Sequence, residues 1–331
     1  MVRWGIAGCG WVAHDYVAPA IAASENGLLA AVHDRDPAAM ARFNAPAFPS
    51  MDGLLGQIDA LYVATPNHAH RPLVEAAARA GVPVLCEKPM ATTMADAQAM
   101  TAACAKAGVL YATAFDQRFH ASHQHLASMV AEGALGTVTA VRIVYACWVG
   151  PAFDATPDNW RIDPARAGGG ALIDLAPHGL DLARMVLGSP LVEIAAMGQR
   201  QVHAYSVEDG ALLMARAASG ALVQLHVAYN CPETLPRRRL EVVGTGGQAV
   251  ATDTMGQTPG GTLAFTSAAT GTTEIIDVPG DDRSPFLNQV EAFARAVEGA
   301  PFPFTPHDDL AIMALVVLAQ AQVSPKLHHA A

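Results

Sequence analysis

Over the first third of the chain, short continuous apolar runs alternate with longer stretches of helical period. The runs are Val2–Ala7, Leu28–Asp34, Asp59–Thr65, Val82–Glu87 and Val109–Phe115. The helical stretches are Trp11–Ala23, Pro37–Asn44, His68–Ala80 and Thr93–Ala107, the last two closed by Gly81 and Gly108. Runs that are apolar at every position belong to strands buried on both faces. Strands that alternate with helices pair in parallel through right-handed crossovers. Residues 1–118 therefore read as a doubly wound α/β domain of Rossmann type.

Beyond residue 118 the pattern changes. Ser122–Glu132 is helical and Val138–Cys147 is a long strand. A loop containing Pro151, Pro157 and Pro164 follows, and Gly168-Gly169-Gly170 opens a helix running to about Leu187. Then come the strands Val192–Val202, Gly210–Ala217, Ala221–Ala228, Arg238–Val243, Gln248–Ala251, Thr262–Thr266 and Thr273–Val278. Hairpin-like breaks such as Ala218-Ser219-Gly220 and Gly244-Thr245-Gly246-Gly247 separate them. Two helices, Pro285–Val297 and Pro306–Gln322, close the chain. Residues 119–331 read as an α+β domain with a large, mainly antiparallel open sheet.

Composition narrows the function classes. The chain has 331 residues, 52% hydrophobic and 15% charged, which excludes a disordered protein and supplies two cores. Twenty Lys+Arg against thirty Asp+Glu leave a net charge of −10, so nucleic acid is not expected as a partner. The run Arg237-Arg238-Arg239 is too short to reverse this and reads as a solvated strand start. The longest apolar run, Leu310–Ala319, is half the roughly 20 residues that span a bilayer. No secretory leader and no membrane partner are expected. The five cysteines are widely spaced and odd in number, which points to reduced thiols in a cytoplasmic protein.

Gly8-Cys9-Gly10-Trp11-Val12-Ala13 follows the first strand and opens a helix. In this dinucleotide fingerprint Gly8 makes the turn, Gly10 lets a pyrophosphate approach the backbone, and Ala13 keeps the helix close to the strand. The helix amino terminus offers N–H groups to the phosphates. Asp34, at the end of the second strand, has the place of the carboxylate that accepts from the ribose hydroxyls; Asp36 is the alternative. A carboxylate at Asp34 repels a 2′-phosphate and favours NAD, whereas Arg35 can bind that phosphate, so NADP stays open.

Further motifs join the glycine loop. Thr65-Pro66-Asn67-His68 follows one strand and Glu87-Lys88-Pro89 the next; the second domain carries Gly168-Gly169-Gly170 and then Asp174, His178 and Asp181. Together they resemble the Gfo/Idh/MocA family of nicotinamide-dependent sugar and polyol oxidoreductases, over nearly the whole chain. The resemblance implies NAD or NADP as cofactor, a carbohydrate or polyol as substrate, and a homodimer or homotetramer built on the open sheet. It also implies that Lys88, Asp174 and His178 form the catalytic group, and that Thr65, Pro66, Asn67 and His68 contact the nicotinamide side.

The residues suit that chemistry. Interconverting an alcohol and a ketone needs a hydride transfer, which the cofactor performs, and a proton transfer, which the protein must handle. A histidine suits the second task. Asp174 and His178 share a helix face, as does Asp181, which is either a substrate contact or a surface carboxylate. Lys88 lies at the carboxyl end of a parallel strand, where open α/β sheets bind ligands, and its ammonium can stabilise a developing alkoxide. The roles of Lys88 and His178 can be exchanged. Glu87 is a partner for cofactor or lysine, and Pro89 shapes the turn. Arg118 contacts a ligand or links the domains by a salt bridge. Trp160 and Arg161 line the sugar pocket, or Trp160 is core. Thr65 or Asn67 can cap the following helix. Pro177, inside the helix and directly before His178, is expected to kink it or to start a fresh turn. His120, His123 and His125 lack the carboxylate or cysteine that would complete a metal site, and none is expected.

Overall fold

The computed structural model describes residues 1–150 and 159–327; the loop around Pro151 and Pro157 lies outside the described residues. The chain forms two compact units. One comprises residues 1–115, 165–168 and 286–313; the other comprises residues 116–164, 169–285 and the remainder from 314.

In the first unit, strands β1 (Val2–Ala7), β2 (Gly27–His33), β3 (Ala60–Val63), β4 (Val84–Glu87) and β5 (Tyr111–Ala114) form a parallel sheet in the order β2-β1-β3-β4-β5. Its helices are α1 (Ala18–Ala23), α2 (Pro37–Met40), α3 (Met51–Leu55), α4 (His70–Arg79) and α5 (Met94–Ala107). Every residue of β3 and β5 is buried, which is why those segments read as unbroken apolar runs. The helix after the glycine loop starts at Trp11 and Val12 and widens into one π-turn, Ala13–Val17, before α1. The short α3, capped by Ser50 on the Gly53 N–H, carries too few apolar residues to show a period.

The chain returns to this unit late. The apolar face of the helix Pro285–Val297 completes the first core: Phe293 packs on Trp4 with ring centroids 5.6 Å apart, and Phe286 stacks on Tyr16 at 5.4 Å. A linear division at residue 118 assigns these residues to the second domain; the apolar surface of β1 and its helix draws them to the first unit instead.

The second unit is built on β6 (Val138–Ala146), β7 (Leu191–Gln199), β8 (Gly210–Ala217), β9 (Leu222–Ala228), β10 (Arg238–Gly244), β11 (Gly247–Thr252), β12 (Thr262–Ser267) and β13 (Thr273–Ile276). The order is β13-β12-β11-β10-β6-β9-β8-β7, and only the β6–β9 pair is parallel. The remaining helices are α6 (Ala121–Ala131), α7 (Pro164–Ala167), α8 (Ala171–Leu187), α9 (Pro285–Val297) and α10 (Pro306–Leu327). Helix α8 packs across β6, β8 and β9. A side chain on Gly179 would strike Leu225 at 2.6 Å, so this glycine lets α8 approach β9 closely, immediately beside His178.

Helix α8 runs through Pro177 as one element, which corrects the expected break. Proline in a helix interior costs about 3 kcal/mol. Thirteen residues of α8 are buried, and that burial outweighs the local cost. Gly170 gives the helix no capping side chain. The buried Glu208 replaces it: its Oε1 accepts from the N–H groups of Gly170 (2.8 Å) and Leu172 (3.1 Å). Among the described residues, no helix is long and apolar enough to cross a membrane.

Candidate active site

In the first unit, every sequence-predicted ligand residue lies at or just beyond the carboxyl end of a parallel strand. Gly8 adopts φ +96°, and a side chain there would meet the Ala64 backbone at 2.6 Å. Gly10 is exposed, with nothing within 4 Å of the place a side chain would occupy. The loop is thus closed beneath and open above, as a pyrophosphate cradle requires. Asp34 reaches back to it: Oδ2 accepts from Cys9 N at 2.7 Å, and Oδ1 accepts from Asp36 N at 2.9 Å. Asp36 accepts from Ala38 N and caps α2, so the two carboxylates have different tasks. Arg35 is exposed beside them. Burial pushes the Cys9 thiol up to about 12, so it stays protonated and unreactive within the loop. Trp11 lies edge-on to Tyr16. Val12 and Ala13 begin the helix.

At the end of β3, the hydroxyl of Thr65 is buried and has no hydrogen-bond partner among the described residues. An orphaned hydroxyl beside an open glycine loop fits a dinucleotide ligand. Pro66 precedes a short 3₁₀ turn, Asn67–Ala69. Neither Thr65 nor Asn67 caps the following helix. Asn67 is buried and donates to Ala167 O at 2.8 Å, so its amide nitrogen holds two segments of this unit together. His68 is exposed. Its neighbour His70, which sequence reading passed over, is buried: Nε2 lies 2.9 Å from Thr65 O, and Nδ1 lies 3.1 Å from both Pro89 O and Met90 O. Desolvation lowers its pKa. This ring ties the loop after β3 to the loop after β4. Glu87 accepts from the Tyr62 hydroxyl at 2.7 Å and from Lys88 N at 3.2 Å, and the Lys88–Pro89 peptide is cis. These contacts fix the backbone that carries the Lys88 ammonium.

The second unit gathers a separate cluster around α8. Asp174 Oδ2 accepts from the hydroxyl of the buried Tyr229 at 2.7 Å. Burial, followed by the Asp174 charge, pushes the Tyr229 pKa up, so it remains a donor. Arg161 acts on Tyr229 in the opposite sense, and its guanidinium carbon lies 4.8 Å over the half-buried Trp160 ring. Trp160 is therefore not a core residue. One turn further along α8, His178 Nδ1 faces Asp116 Oδ1 at 3.4 Å, and the Tyr145 ring meets the imidazole edge-on at 5.5 Å. Asp116 also accepts from Gln117 Nε2 at 2.8 Å. Asp116, Tyr145 and Tyr229 are the partners that sequence reading missed. Asp116 stands two residues before Arg118, but nothing in a single sequence aims it at a helix 60 residues on.

Two assignments change. Arg118 is 1% exposed and engages Asp181, also 1% exposed, through two bonds of 2.7 and 2.5 Å. Arg118 is corrected from substrate contact to an internal ion pair. Both residues lie in the second unit, so the pair does not link domains. Asp181 is not a surface carboxylate but the buried partner of Arg118.

The neighbouring histidines are structural as well. His123 Nδ1 lies 2.9 Å from Gln117 O and Nε2 lies 2.9 Å from Thr254 Oγ1, a pattern that one neutral tautomer satisfies. Burial lowers His123 to about 3 and His120 to about 4. Among the described residues, no group of three or more His, Cys, Asp or Glu could hold a metal ion. Both histidines fall below an unfolded value near 6.5, so below that pH the unfolded chain binds more protons than the folded one. The stability they contribute is complete above pH 6.5 and is lost as pH falls toward 3. Urea unfolding at pH 7 and pH 4 should show a drop, and His123→Gln should remove about 2–3 kcal/mol of that difference. An unchanged difference would place the acid sensitivity elsewhere.

Comparison with known proteins matches residues 2–115 to "Oxidoreductase family, NAD-binding Rossmann fold" and residues 123–250 to "GFO/IDH/MocA C-terminal domain". A 1,5-anhydro-D-fructose reductase from Ensifer adhaerens is 32% identical, over 93% of this chain and 92% of its own. A D-xylose 1-dehydrogenase (NADP(+)) from Haloferax volcanii is also 32% identical, over 91% of each chain. Among solved structures, an aldose–aldose oxidoreductase from Caulobacter crescentus, complexed with glycerol, superposes with a TM-score of 0.86 at 28% identity, covering 98% of each chain.

Proposed function

The chain belongs to the Gfo/Idh/MocA family of NAD(P)-binding oxidoreductases, and from that premise we propose that it interconverts an alcohol and a carbonyl group on a sugar, a polyol or a related small carbohydrate. The observation that carries the reading is the setting of His178: a buried imidazole on α8 with the Asp116 carboxylate 3.4 Å from Nδ1. When bound, the nicotinamide supplies the acceptor or donor for hydride. The protein must handle the proton. Asp116 beside Nδ1 orients the ring and favours its cationic form, which leaves Nε2 to take the hydroxyl proton in oxidation and return it in reduction. We assign the Lys88 ammonium the role of hydrogen-bond donor to a developing alkoxide. Asp174, held by Tyr229, accepts from an adjacent substrate hydroxyl, and Trp160 and Arg161 bind the remainder of the sugar.

The cofactor contacts belong to Gly8, Gly10, Trp11, Val12, Ala13, Asp34, Arg35, Thr65, Pro66, His68, Glu87 and Lys88, with Asn67 supporting the loop. The Asp34 carboxylate at the loop favours NAD over NADP. The outer face of the large sheet supports a homo-oligomer: Met197 is 71% exposed and Met214 65%, with Leu212 and Leu222 beside them. The charge balance and the absence of a disulfide among the described residues support a cytoplasmic site.

Purified protein mixed with NAD or NADP and a panel of aldoses and inositols should produce reduced nicotinamide, read by its absorbance, with NAD preferred. It should sediment as a dimer or larger. Binding without turnover across the panel would overturn the reading. The similarity to the aldose–aldose oxidoreductase supports a second form of it, in which the cofactor is retained and one sugar is oxidised as another is reduced. Product formation without net reduced nicotinamide distinguishes that form.

A further inference from the structure

Arg238 and Arg239 open β10 directly after Arg237, and strand alternation sends Arg238 and Arg239 to opposite faces. Arg237 pairs with Glu233 at 2.5 Å and Arg239 with Glu241 at 3.0 Å. Arg238 stands directly opposite Tyr145 of β6, so both side chains lie on the same face of the sheet. That is the face from which Tyr145 meets His178. A methyl group placed on Gly256 would fall 2.1 Å from Arg238 Nη1, so the guanidinium rests on the Gly256 backbone. Gly256 O accepts from Gln117 Nε2 at 2.8 Å, and the same nitrogen donates to Asp116, the carboxylate beside His178. Two routes thus connect the guanidinium with the imidazole, one through the Tyr145 ring and one through Gly256, Gln117 and Asp116.

The guanidinium is half-buried, and its Nε is buried without a hydrogen-bond partner. Among the described residues, no carboxylate lies within ion-pair distance of Arg238. The chain carries thirty acidic residues against twenty basic ones, and the arginines on either side of Arg238 each have a glutamate. A planar fork of donors left open beside a proton-transfer group matches a carboxylate, which it can bind through two parallel bonds.

We propose that Arg238 is a specificity-determining residue that receives a carboxylate on the substrate, remote from the carbon being oxidised or reduced, so that the enzyme prefers sugar acids to the parent neutral sugars. The proposal rests on the oxidoreductase reading above. Its test compares kcat/KM for two matched pairs, D-glucuronate with D-glucose and D-galacturonate with D-galactose, in the wild type, Arg238→Gln and Arg238→Lys. The wild type should favour the acid by about tenfold to a hundredfold, the worth of a charge-assisted bidentate contact. Arg238→Gln should bring the ratio close to one. Arg238→Lys, which keeps the charge but not the fork, should retain part of it and serves if the glutamine variant folds poorly. A wild-type preference for the neutral sugar, or an acid-to-neutral ratio untouched by either substitution, overturns the proposal. Calorimetric titration of D-glucuronate into the protein with NAD separates the two readings. Binding that weakens in Arg238→Gln, with no turnover of any sugar, sinks the oxidoreductase reading and keeps the anion site. Turnover without any difference in glucuronate binding does the reverse.

Discussion

Substitution of His178 by asparagine should lower kcat by about 10²- to 10⁴-fold, the usual contribution of a positioned acid–base group, while cofactor affinity stays close to that of the wild type. The residue is buried on α8, away from the cofactor-binding residues in sequence, and its surroundings are built for an imidazole. Asp116 faces Nδ1 and the Tyr145 ring covers one edge. An asparagine side chain fits the space but cannot shuttle a proton at neutral pH. Asp116→Asn provides the control for mechanism. It removes a negative charge that favours the protonated ring, so the acid limb of the pH–rate profile for oxidation should move to lower pH, with a smaller loss in kcat. Lys88→Met should reduce kcat without that change in profile. Steady-state rates over pH 5–9 with fluorescence titration of reduced nicotinamide check all three. Activity in His178→Asn within about tenfold of wild type would remove the histidine from the proton-transfer role.

The second large effect concerns stability. Asp181→Asn should cost about 3–5 kcal/mol, because it leaves the Arg118 guanidinium buried without its counter-charge. Arg118→Met should cost a similar amount by stranding the carboxylate. The double substitution Arg118→Met with Asp181→Leu should recover most of the loss, since an apolar pair of similar volume avoids the desolvation of two ions. Urea unfolding of the two single variants and the double variant makes the comparison. If either single change costs less than about 1 kcal/mol, the pair is solvated in solution and is not a structural tie between the segment after β5 and α8.

The two predictions separate what a sequence carries from what it does not. Alternation, apolar runs and glycine punctuation are local properties, so β1, β8 and α9 can be delimited almost to the residue. The glycine loop is equally local: strand, turn and helix are contiguous, and the positive φ of Gly8 follows from the turn itself. Lys88, Asp174 and His178 are visible for another reason, the family motifs in which they stand.

What the sequence misjudged depends on partners far along the chain. Arg118 has the same local appearance whether it meets a substrate or Asp181, 63 residues on; only packing decides. Pro177 is a helix breaker by its own chemistry, yet α8 continues because most of its surface is buried. Arg237, Arg238 and Arg239 are one basic run in the sequence, and the pleat of β10 sends Arg238 and Arg239 to opposite faces. The sequence alone determined the order of elements and the glycine loop, because each is written in neighbouring residues. The tertiary structure decided which charges are paired, which histidines are kept neutral and which carboxylate attends His178, because burial and distance across the chain set those energies.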